Sequence, residues 1–439
     1  MKTSSKLIDI AVPPVIETAA LVRLVLPSDR PGEVEESLDE LRRLAWTAGA
    51  RTASMMVQRR VRPCPATLIG KGKARELLDL CNEISADLVI VDGELTPTQG
   101  ANLEDLVERK VVDRTQLILD IFAQRARTLE GKHQVELAQL QYLLPRLAGR
   151  GSIMRQQGGI GVRGPGEQKL EVDRRVIRDR IARLRVELGE IRKHRWVQRK
   201  ERRESGTCTA ALVGYTNAGK SSLLNAVTGA DVFVEDKLFA TLAPTSRRCK
   251  LPSGREAVFT DTVGFVRKLP HSLVAAFRGT LEEVNEADVL LLVADASHPL
   301  VEEHIETVHQ VLDEIGAGEI PFVRVLNKID LAEPERIRLL LDSPGGLRTA
   351  ASSVAISALR GDNLPILMEE VDRILSDSRR RLRLRVPQSQ AGLVARLHQT
   401  GRIHNQSYEG NEILIDAEVA PALEGQVRPY VVDGAGQLP

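Results

Sequence analysis

The sequence predicts an α/β protein of several units, and three observations support this prediction. Short apolar runs that suit buried strands alternate with amphipathic stretches at helical spacing in two separate parts of the chain. The segment between these parts has helical periodicity alone. The length of 439 residues favours about three domains, and 42% hydrophobic with 28% charged residues is ordinary for a globular chain.

The first segment is predicted to span residues 1–128 as a small α/β domain with a largely parallel sheet. Strands are expected at its three apolar runs, residues 20–26, 86–91 and 117–122. Helices are expected at the amphipathic stretches between them, residues 32–48, 71–85 and 97–109. Lys71 and Lys73 lie where one of these helices begins. A plain helix N-terminus is the favoured interpretation there, and contact with RNA is the alternative.

The second segment, residues 129–205, is predicted to be a long helical hairpin carried by the first segment. Its later helix has apolar residues at spacings of three, four and seven, which form a heptad seam: Leu170, Ile177, Ile181, Leu184, Leu188 and Ile191. Its earlier helix is expected to end at Pro145. The glycine- and arginine-rich residues 149–166 would form the loop between the two helices.

The third segment, residues 206–377, again alternates strands with helices. Its four apolar runs, expected as buried parallel strands, are residues 210–213, 257–260, 289–293 and 322–326. Residues 378–439 are predicted to form a small C-terminal α+β module with a flexible tail. The predicted architecture is therefore two α/β domains with a hairpin between them and a small module at the end.

A phosphate-binding motif of the form GxxxxGK[ST] starts directly after the strand at 210–213 and opens a helix, which is the context that this motif requires. Its residues are Gly214, Tyr215, Thr216, Asn217, Ala218, Gly219, Lys220 and Ser221. Chance would give roughly 0.02 such matches in a chain of this length. Lys220 would bridge the β- and γ-phosphates, and the Ser221 hydroxyl would bind Mg²⁺. The third segment is therefore predicted to be a P-loop nucleotide-binding domain.

The bound base is predicted to be guanine. A second motif follows the strand at 322–326, at the edge where ligands bind in open α/β sheets, and consists of Asn327, Lys328, Ile329 and Asp330. The Asp330 carboxylate can accept both N1–H and N2–H of guanine, a pair that adenine lacks, and the Lys328 stem can cover the base. A further motif consists of Ser357, Ala358 and Leu359. The Ala358 N–H would support the guanine O6, although a Ser-Ala pair is common by chance. GTP and GDP are the expected ligands.

Two further motifs are expected to sense the γ-phosphate. One follows the strand at 257–260 and consists of Asp261, Thr262, Val263 and Gly264. Asp261 would hold Mg²⁺ through water, and the Gly264 N–H would contact the γ-phosphate. The other is the loop of Phe239, Ala240, Thr241, Leu242 and Ala243. Thr241 is preferred over Thr245 as the threonine that completes the Mg²⁺ shell, and a plain loop hydroxyl is the alternative.

Hydrolysis is predicted to be slow in isolation. Small GTPases often orient the attacking water with a glutamine directly after the switch glycine, and Phe265 occupies that position here. Asn217 resembles the P-loop asparagine of potassium-activated GTPases. One hypothesis is therefore that K⁺ accelerates hydrolysis through Asn217, and the other is that Asn217 orders the loop. The residues assigned to catalysis are Lys220, Asn217, Thr241 and Gly264.

Several stretches resemble the HflX family of translation-associated GTPases. They are residues 261–271, 276–278, 280–283, 69–73, 113–115, 158–161 and 163–167. The resemblance, which covers residues 15–415, implies binding to the large ribosomal subunit and GTP-linked splitting of stalled or idle 70S ribosomes. Two positions depart from the family pattern, Ala243 in the first switch and Leu359 in the guanine loop. Neither threatens nucleotide binding, although Ala243 would alter the dynamics of the switch.

The hairpin has the charge expected of an RNA-binding element. Residues 173–204 contain 13 Lys or Arg against 6 Asp or Glu, a net charge of +7. A solvated coiled-coil face is the alternative. The loop at 149–166 suits insertion into a narrow RNA-lined cavity, with a flexible linker as the alternative. The family resemblance places this tip near the peptidyl transferase region. The candidate RNA contacts are Arg155, Arg163 and Glu167.

The leading hypothesis is thus a Mg²⁺-dependent GTPase whose partners are the large ribosomal subunit and the 70S ribosome, bound through rRNA. The alternative is an RNA-binding GTPase that acts as a scaffold for large-subunit assembly. A membrane-linked signalling GTPase is disfavoured, because no amphipathic anchor or lipidation signal is evident. The four cysteines lack CxxC spacing and are expected to be reduced thiols. A cytoplasmic monomer without DNA binding or integral membrane association is expected.

Overall fold

The structure is a computed structural model that describes most of the chain. The described residues are 16–30, 32–155, 165–204, 207–229, 238–242, 244–267, 283–343, 352–377, 380–400, 402–419 and 421–432. The chain folds into two compact units. The first comprises Met1–Gln124 and Gln141–Arg175, and the second comprises Arg125–Leu140 and Val176–Pro439.

A parallel four-stranded sheet organises the first unit, with strand order β2-β1-β3-β4. The strands are β1 Glu17–Val25, β2 Ala50–Arg59, β3 Leu88–Val91 and β4 Lys110–Asp113. The helices are α1 Glu33–Ala48, α2 Lys71–Glu83, α3 Pro97–Val107 and α4 Arg114–Arg125. Helix α3 begins with a capping box between Thr96 and Gln99, followed by Pro97 at its first position. Apolar residues of α2 and α3 pack on one face of the sheet against Ala20 and Val22 of β1.

The strand predicted at residues 117–122 is wrong, because this run lies in α4. Its apolar residues are buried without a gap, so that period-2 and period-3.6 patterns cannot be told apart over six positions. Two strands were also missed. Strand β2 has few strongly apolar residues and alternates between exposed and half-buried positions, and β4 has only four residues.

The hairpin is formed by α5 Leu129–Arg155 and α6 Pro165–Glu204. Two ion pairs of the second unit fix its antiparallel direction: Glu136 meets Arg180 at 2.7 Å, and Glu130, which precedes it, meets Arg195 at 2.6 Å. The seam predicted for the later helix is buried at three of its positions, which are Ile181, Leu184 and Leu188.

The expectation that the earlier helix ends at Pro145 is wrong, because α5 continues through this proline to Arg155. A proline inside a helix removes one backbone hydrogen bond and weakens the local ladder. The neighbouring Arg146 holds the helix by contacts within the first unit. Its guanidinium donates to the Tyr142 carbonyl at 3.1 Å and to the Asp113 carboxylate at 2.9 Å, which anchors the helix at this point.

A six-stranded sheet organises the nucleotide-binding part of the second unit, with strand order β10-β9-β8-β5-β7-β6. The strands are β5 Cys208–Gly214, β6 Thr245–Lys250, β7 Glu256–Asp261, β8 Val289–Asp295, β9 Phe322–Asn327 and β10 Ser352–Ala355. All neighbours are parallel except β6 and β7. The helices are α7 Lys220–Thr228, α8 Val301–Glu314, α9 Pro334–Asp342 and α10 Leu364–Asp377. The predicted α/β class is confirmed, and the carboxyl ends of β5, β7, β8 and β9 meet at one edge of the sheet.

The C-terminal module is a three-stranded antiparallel sheet with short helices. Its elements are β11 Arg380–Pro387, α11 Ala391–Thr400, β12 Arg402–Glu409, β13 Glu412–Val419 and α12 Pro421–Val427. The strand order is β11-β13-β12. Leu384, Leu397 and Ile415 belong to a hydrophobic cluster that joins the sheet to α11, so this α+β module has a core of its own.

Candidate nucleotide-binding site

The loop between β5 and α7 is shaped by close backbone packing. Gly214, Asn217 and Gly219 have φ values of +156°, +61° and +92°. A Cβ on Gly214 would collide with the backbone carbonyl of Val293, and one on Gly219 would collide with the side-chain amide of Asn327. Both positions therefore require glycine, whereas asparagine tolerates the left-handed conformation at position 217. The glycine spacing of the phosphate-binding motif thus follows from packing against β8 and β9.

The Lys220 ammonium is buried inside this loop. It donates hydrogen bonds to the carbonyls of Tyr215 at 2.9 Å and Gly214 at 3.2 Å. Burial lowers the pKa of Lys220 to about 8, and the attraction of Asp261 opposes that shift. A buried ammonium held by neutral carbonyls gains a strong partner when an anionic phosphate arrives.

Three oxygen-bearing side chains converge beside Lys220. The hydroxyls of Ser221 and Thr241 donate to Oδ2 of Asp261 at 2.6 Å and 2.9 Å, and the two hydroxyl oxygens lie 3.0 Å apart. Burial raises the pKa of Asp261, and its Oδ1 receives no hydrogen bond from any described residue. Hydroxyl and carboxylate oxygens are the ligands that Mg²⁺ prefers, so this set fits the ion. Thr245 begins β6 and has no hydrogen bond to this carboxylate among the described contacts.

The switch glycine lies directly against the phosphate loop. A Cβ on Gly264 would be 2.8 Å from the Cα of Thr216. The backbone of Phe265 donates to the Gly214 carbonyl at 3.1 Å and accepts from the Thr216 N–H at 2.7 Å. The Phe265 side chain is buried in the hydrophobic core that includes residues of α8. Position 265 therefore supplies an apolar group to the core and no polar side chain that orients water.

Asn327 connects the phosphate loop to the predicted guanine loop. Its side chain donates to the Ala218 carbonyl at 2.9 Å and accepts from the Ala358 N–H at 3.0 Å. The next residue, Lys328, has a φ of +64°, and its ammonium pairs with Asp295 at 2.7 Å. Both contacts fix the strand end from which Asp330 projects.

The carboxylate of Asp330 is held by the guanine loop. Its Oδ1 accepts from the Ser357 hydroxyl at 2.6 Å, and this bond lowers the pKa of Asp330. The Arg360 guanidinium lies 4.0 Å from Oδ2. Leu359 is 86% exposed, so this departure from the family pattern places an apolar side chain in solvent. An ionised acceptor at this position is what recognition of N1–H and N2–H requires.

A cleft lies among the phosphate loop and the two switches. Its lining includes eleven residues, which are Thr216, Asn217, Gly219, Lys220, Ser221, Ser222, Phe239, Ala240, Thr241, Thr262 and Gly264. Three further predicted residues have a described place: Leu242 and Val263 are buried, and Ile329 begins a 3₁₀ turn. Ala243 lies outside the described residues.

Sequence reasoning missed a set of contacts behind the phosphate loop. The Tyr215 ring stacks on His304 with centroids 3.8 Å apart and planes at 4°. The Tyr215 hydroxyl accepts from the Arg267 N–H at 2.8 Å, and the Arg267 guanidinium pairs with Glu303 at 3.1 Å. The phosphate loop is therefore tied to the second switch by a side chain as well as by backbone. Asp295, which holds Lys328, was also missed, although a carboxylate at a strand end was a visible signal.

Two of the three candidate RNA contacts lie at the ends of the hairpin helices. Helix α5 ends at Arg155, and Glu167 lies in the first turn of α6. Arg163 lies outside the described residues, as does most of the second switch, residues 268–282.

Fold and site together define a P-loop protein that binds guanine nucleotides. Three family models match consecutive parts of the chain. Residues 35–123 match the GTP-binding GTPase N-terminal family, residues 125–202 match the GTP-binding GTPase middle region, and residues 209–328 match a family described as 50S ribosome-binding GTPase.

Curated relatives cover nearly the whole chain. A GTPase HflX of Caldanaerobacter subterraneus is 47% identical over 418 residues, which are 95% of this chain and 94% of the relative. The GTPase HflX of Escherichia coli is 44% identical over 394 residues, covering 90% and 91%. The chain belongs to the HflX family of GTPases and accordingly binds and hydrolyses GTP.

Solved structures with similar folds include a GTP-binding protein from Sulfolobus solfataricus in complex with GDP. It is 26% identical, with a TM-score of 0.44, and the match covers 82% of this chain and 99% of that one. Within the described part of the present chain, no helix combines the length and the apolar character needed to cross a membrane.

Proposed function

We propose that this GTPase acts in the cytoplasm on the large ribosomal subunit and uses GTP to split stalled or idle 70S ribosomes. The observation that carries the proposal is a basic helical hairpin that directly precedes the nucleotide-binding sheet in the chain. On the second-unit part of α6, Arg178, Arg183 and Arg185 are exposed, while three seam residues are buried, namely Ile181, Leu184 and Leu188. Exposed arginines along one helix suit the phosphates of an RNA backbone. The ribosome-binding description of the family that matches residues 209–328 supports the same partner.

The nucleotide would be bound by groups that already have their positions. Asp330 accepts from the guanine base, Asn327 holds the two loops together, and Lys220 contacts the β- and γ-phosphates. Ser221, Thr241 and Asp261 would hold Mg²⁺ when nucleotide binds, which supplies neutralisation of phosphate charge. The Gly264 N–H would then meet the γ-phosphate and report its presence.

Hydrolysis would depend on a group other than the side chain at position 265 to orient the attacking water. Small GTPases often have a glutamine at this position, whereas this protein has Phe265, whose side chain is buried. Asn217 is exposed at the cleft, which suits a role in holding K⁺. Turnover should therefore be faster in K⁺ than in Na⁺ buffer, and equal rates would exclude this role for Asn217.

The conformational cycle follows from the position of the switches. GTP would hold Thr241 and Gly264 against the phosphates and favour the ribosome-bound state, and hydrolysis would release both and permit dissociation. The hairpin tip would enter an RNA-lined cavity of the subunit through Arg155, Arg163 and Glu167. The double change Arg155→Ala with Arg163→Ala should weaken large-subunit binding while leaving GTP affinity intact.

The deciding experiment is incubation of 70S ribosomes with the protein and GTP, GDP or a non-hydrolysable analogue. Light scattering and sucrose gradients should show conversion to subunits with GTP and with the analogue, and little with GDP. The second candidate is a scaffold for large-subunit assembly, favoured by the same basic hairpin. It predicts binding to subunits without any conversion of 70S particles, so the same gradients separate the two functions.

A further inference from the structure

Residues 51–75, here called the basic segment, have an unusual charge. They contain seven Lys or Arg and no Asp or Glu: the cations are Arg51, Arg59, Arg60, Arg62, Lys71, Lys73 and Arg75. Six of these side chains are exposed, and Lys73 is half-buried and pairs with Glu76 at 2.6 Å. The nucleotide site does not use any of them, because the basic segment lies wholly in the first unit.

The fold brings the two ends of the basic segment together. The Gly70 N–H, at the start of α2, donates to the Gln58 side chain near the end of β2 at 2.8 Å. A Cβ on Gly70 would lie only 2.5 Å from Nη1 of Arg60. The guanidinium of Arg60 therefore rests on the first turn of the helix, and the end of β2 lies beside the start of α2.

The loop between these ends is held in place by its own hydrogen bonds. Cys64 and Leu68 exchange two backbone hydrogen bonds at 2.8 Å and 2.9 Å. Side-chain amides of α3 add two more, from Gln99 to the Cys64 carbonyl at 3.1 Å and from Asn102 to the Ala66 carbonyl at 2.9 Å. The backbone of this loop therefore loses little conformational entropy when a partner binds.

We infer that the basic segment is a second RNA-binding surface, separate from the hairpin, that contacts the phosphate backbone of rRNA through exposed arginines. The inference rests on the proposed function, which supplies a partner rich in phosphate. Like-charged groups at this density repel one another, and a polyanion that neutralises several at once releases its own counterions. The partial positive charge of the α2 N-terminus acts in the same direction.

The expected energetics follow from counterion release. Each phosphate contact contributes a slope of about 0.9 to the dependence of log affinity on log salt, which is roughly a 5-fold factor at 0.15 M salt. Removing two contacts should therefore weaken binding by about 10- to 30-fold and reduce the slope by roughly 2.

The test compares two full-length double variants of equal charge change. Arg62→Gln with Arg75→Gln removes two exposed cations of the basic segment. Arg42→Gln with Arg43→Gln is the matched control, because these exposed arginines of α1 already pair with Asp39. Affinity for large ribosomal subunits is measured with a non-hydrolysable GTP analogue between 50 and 300 mM KCl (roughly the range where such slopes are linear). An RNA duplex and phosphatidylserine vesicles are separate probes, and retained GTP hydrolysis reports folding.

The inference is supported if the Arg62/Arg75 variant loses affinity and slope on subunits and duplex while the Arg42/Arg43 variant matches the unchanged protein. It is overturned if both variants bind subunits and duplex alike, or if the loss appears on vesicles alone. An unchanged protein that fails to bind subunits in every nucleotide state contradicts the proposed function. In that case the duplex measurement still decides whether the basic segment binds RNA.

Discussion

The four-stranded and six-stranded sheets both have charged side chains near the carboxyl ends of their parallel strands, yet the two sets are used in opposite ways. In the second unit, Lys220 lines the cleft, and the buried Asp261 beside it has one oxygen without a donor among the described residues. In the first unit the corresponding set is closed on itself. Asp92, which follows β3, accepts from Arg23, from Arg114 at 3.0 Å and from Ser37 at 2.6 Å.

The closed set has almost no contact with solvent. Arg23 is 1% exposed and Arg114 is 2% exposed, and Arg114 also pairs with Glu40 at 2.7 Å. Burial alone would raise the pKa of Asp92, but Arg114, Ser37 and Arg23 outweigh it and lower the pKa. The comparison teaches that position at a sheet edge does not decide function. A set of buried charges that pair with one another stabilises the unit, whereas a set beside a cleft whose carboxylate oxygen lacks a donor binds a ligand.

The largest expected effect is on the open site, which is the nucleotide-binding cleft of the second unit together with its guanine loop. Asp330→Asn replaces an ionised acceptor, so two charge-assisted hydrogen bonds to guanine are lost at about 1.5–3 kcal/mol each. GTP affinity should fall by roughly 10²- to 10⁴-fold, with little change in stability, as measured by titration with a fluorescent GTP analogue and by urea unfolding. Xanthosine triphosphate is the control, because its carbonyl can accept from the new amide. Unchanged GTP affinity would show that Asp330 does not read the base.

The closed set should show the reverse pattern. Asp92→Ala leaves Arg23 and Arg114 buried without their shared partner, so the free energy of unfolding of the first unit should fall by about 3–5 kcal/mol. Urea unfolding followed through Trp46, with Trp196→Phe as background, measures this unit. Asp39→Ala is the control, because its surface pairs with Arg42 and Arg43 contribute less than about 1 kcal/mol.

GTP affinity should be unchanged by Asp92→Ala, since this carboxylate lies in the unit that does not hold the nucleotide. A loss of GTP affinity without a loss of stability would break the distinction between the two sets of charges.

The sequence predicted the open site far better than the closed one, and the reason is physical. Phosphate binding needs a short loop of fixed spacing, and packing of Gly214 and Gly219 against β8 and β9 leaves no other residue type possible. The closed set has no local pattern. Arg23 and Asp92 are 69 positions apart, and only the strand order brings them together.

The errors in secondary structure have the same origin. A mostly buried helix such as α4 has an apolar run like that of a buried strand, so the strand predicted at residues 117–122 is wrong. Pro145 is a strong local signal for a helix end, but the tertiary contacts of Arg146 outweighed it. Contacts distant in sequence decided both cases, and a single sequence does not display them.

A third prediction concerns the pH dependence of the open site. The pKa of Lys220 is lowered to about 8, and only its protonated form attracts phosphate. The ammonium is therefore present below pH 8 and is lost as pH rises above it, so binding must take up a proton at higher pH. GTP affinity should fall roughly 10-fold from pH 7 to pH 9, as equilibrium titrations would show. Lys220→Arg keeps its charge over this range, so any binding that remains should be flat with pH.

The smallest expected effect tests how the open site is kept in register with its switch. Tyr215→Phe preserves the stack on His304 and removes only the hydroxyl that accepts from the Arg267 N–H. One neutral hydrogen bond contributes about 0.5–1.5 kcal/mol, so kcat for GTP should fall roughly 2- to 12-fold. GTP affinity should remain, because the ring and the loop backbone keep their places. Tyr408→Phe is the control, since this exposed tyrosine lies in the C-terminal module. A loss confined to affinity would mean that the hydroxyl shapes the phosphate loop. A loss confined to kcat would mean that the nucleotide site needs this hydrogen bond to its second switch, a requirement that the closed set of charges lacks.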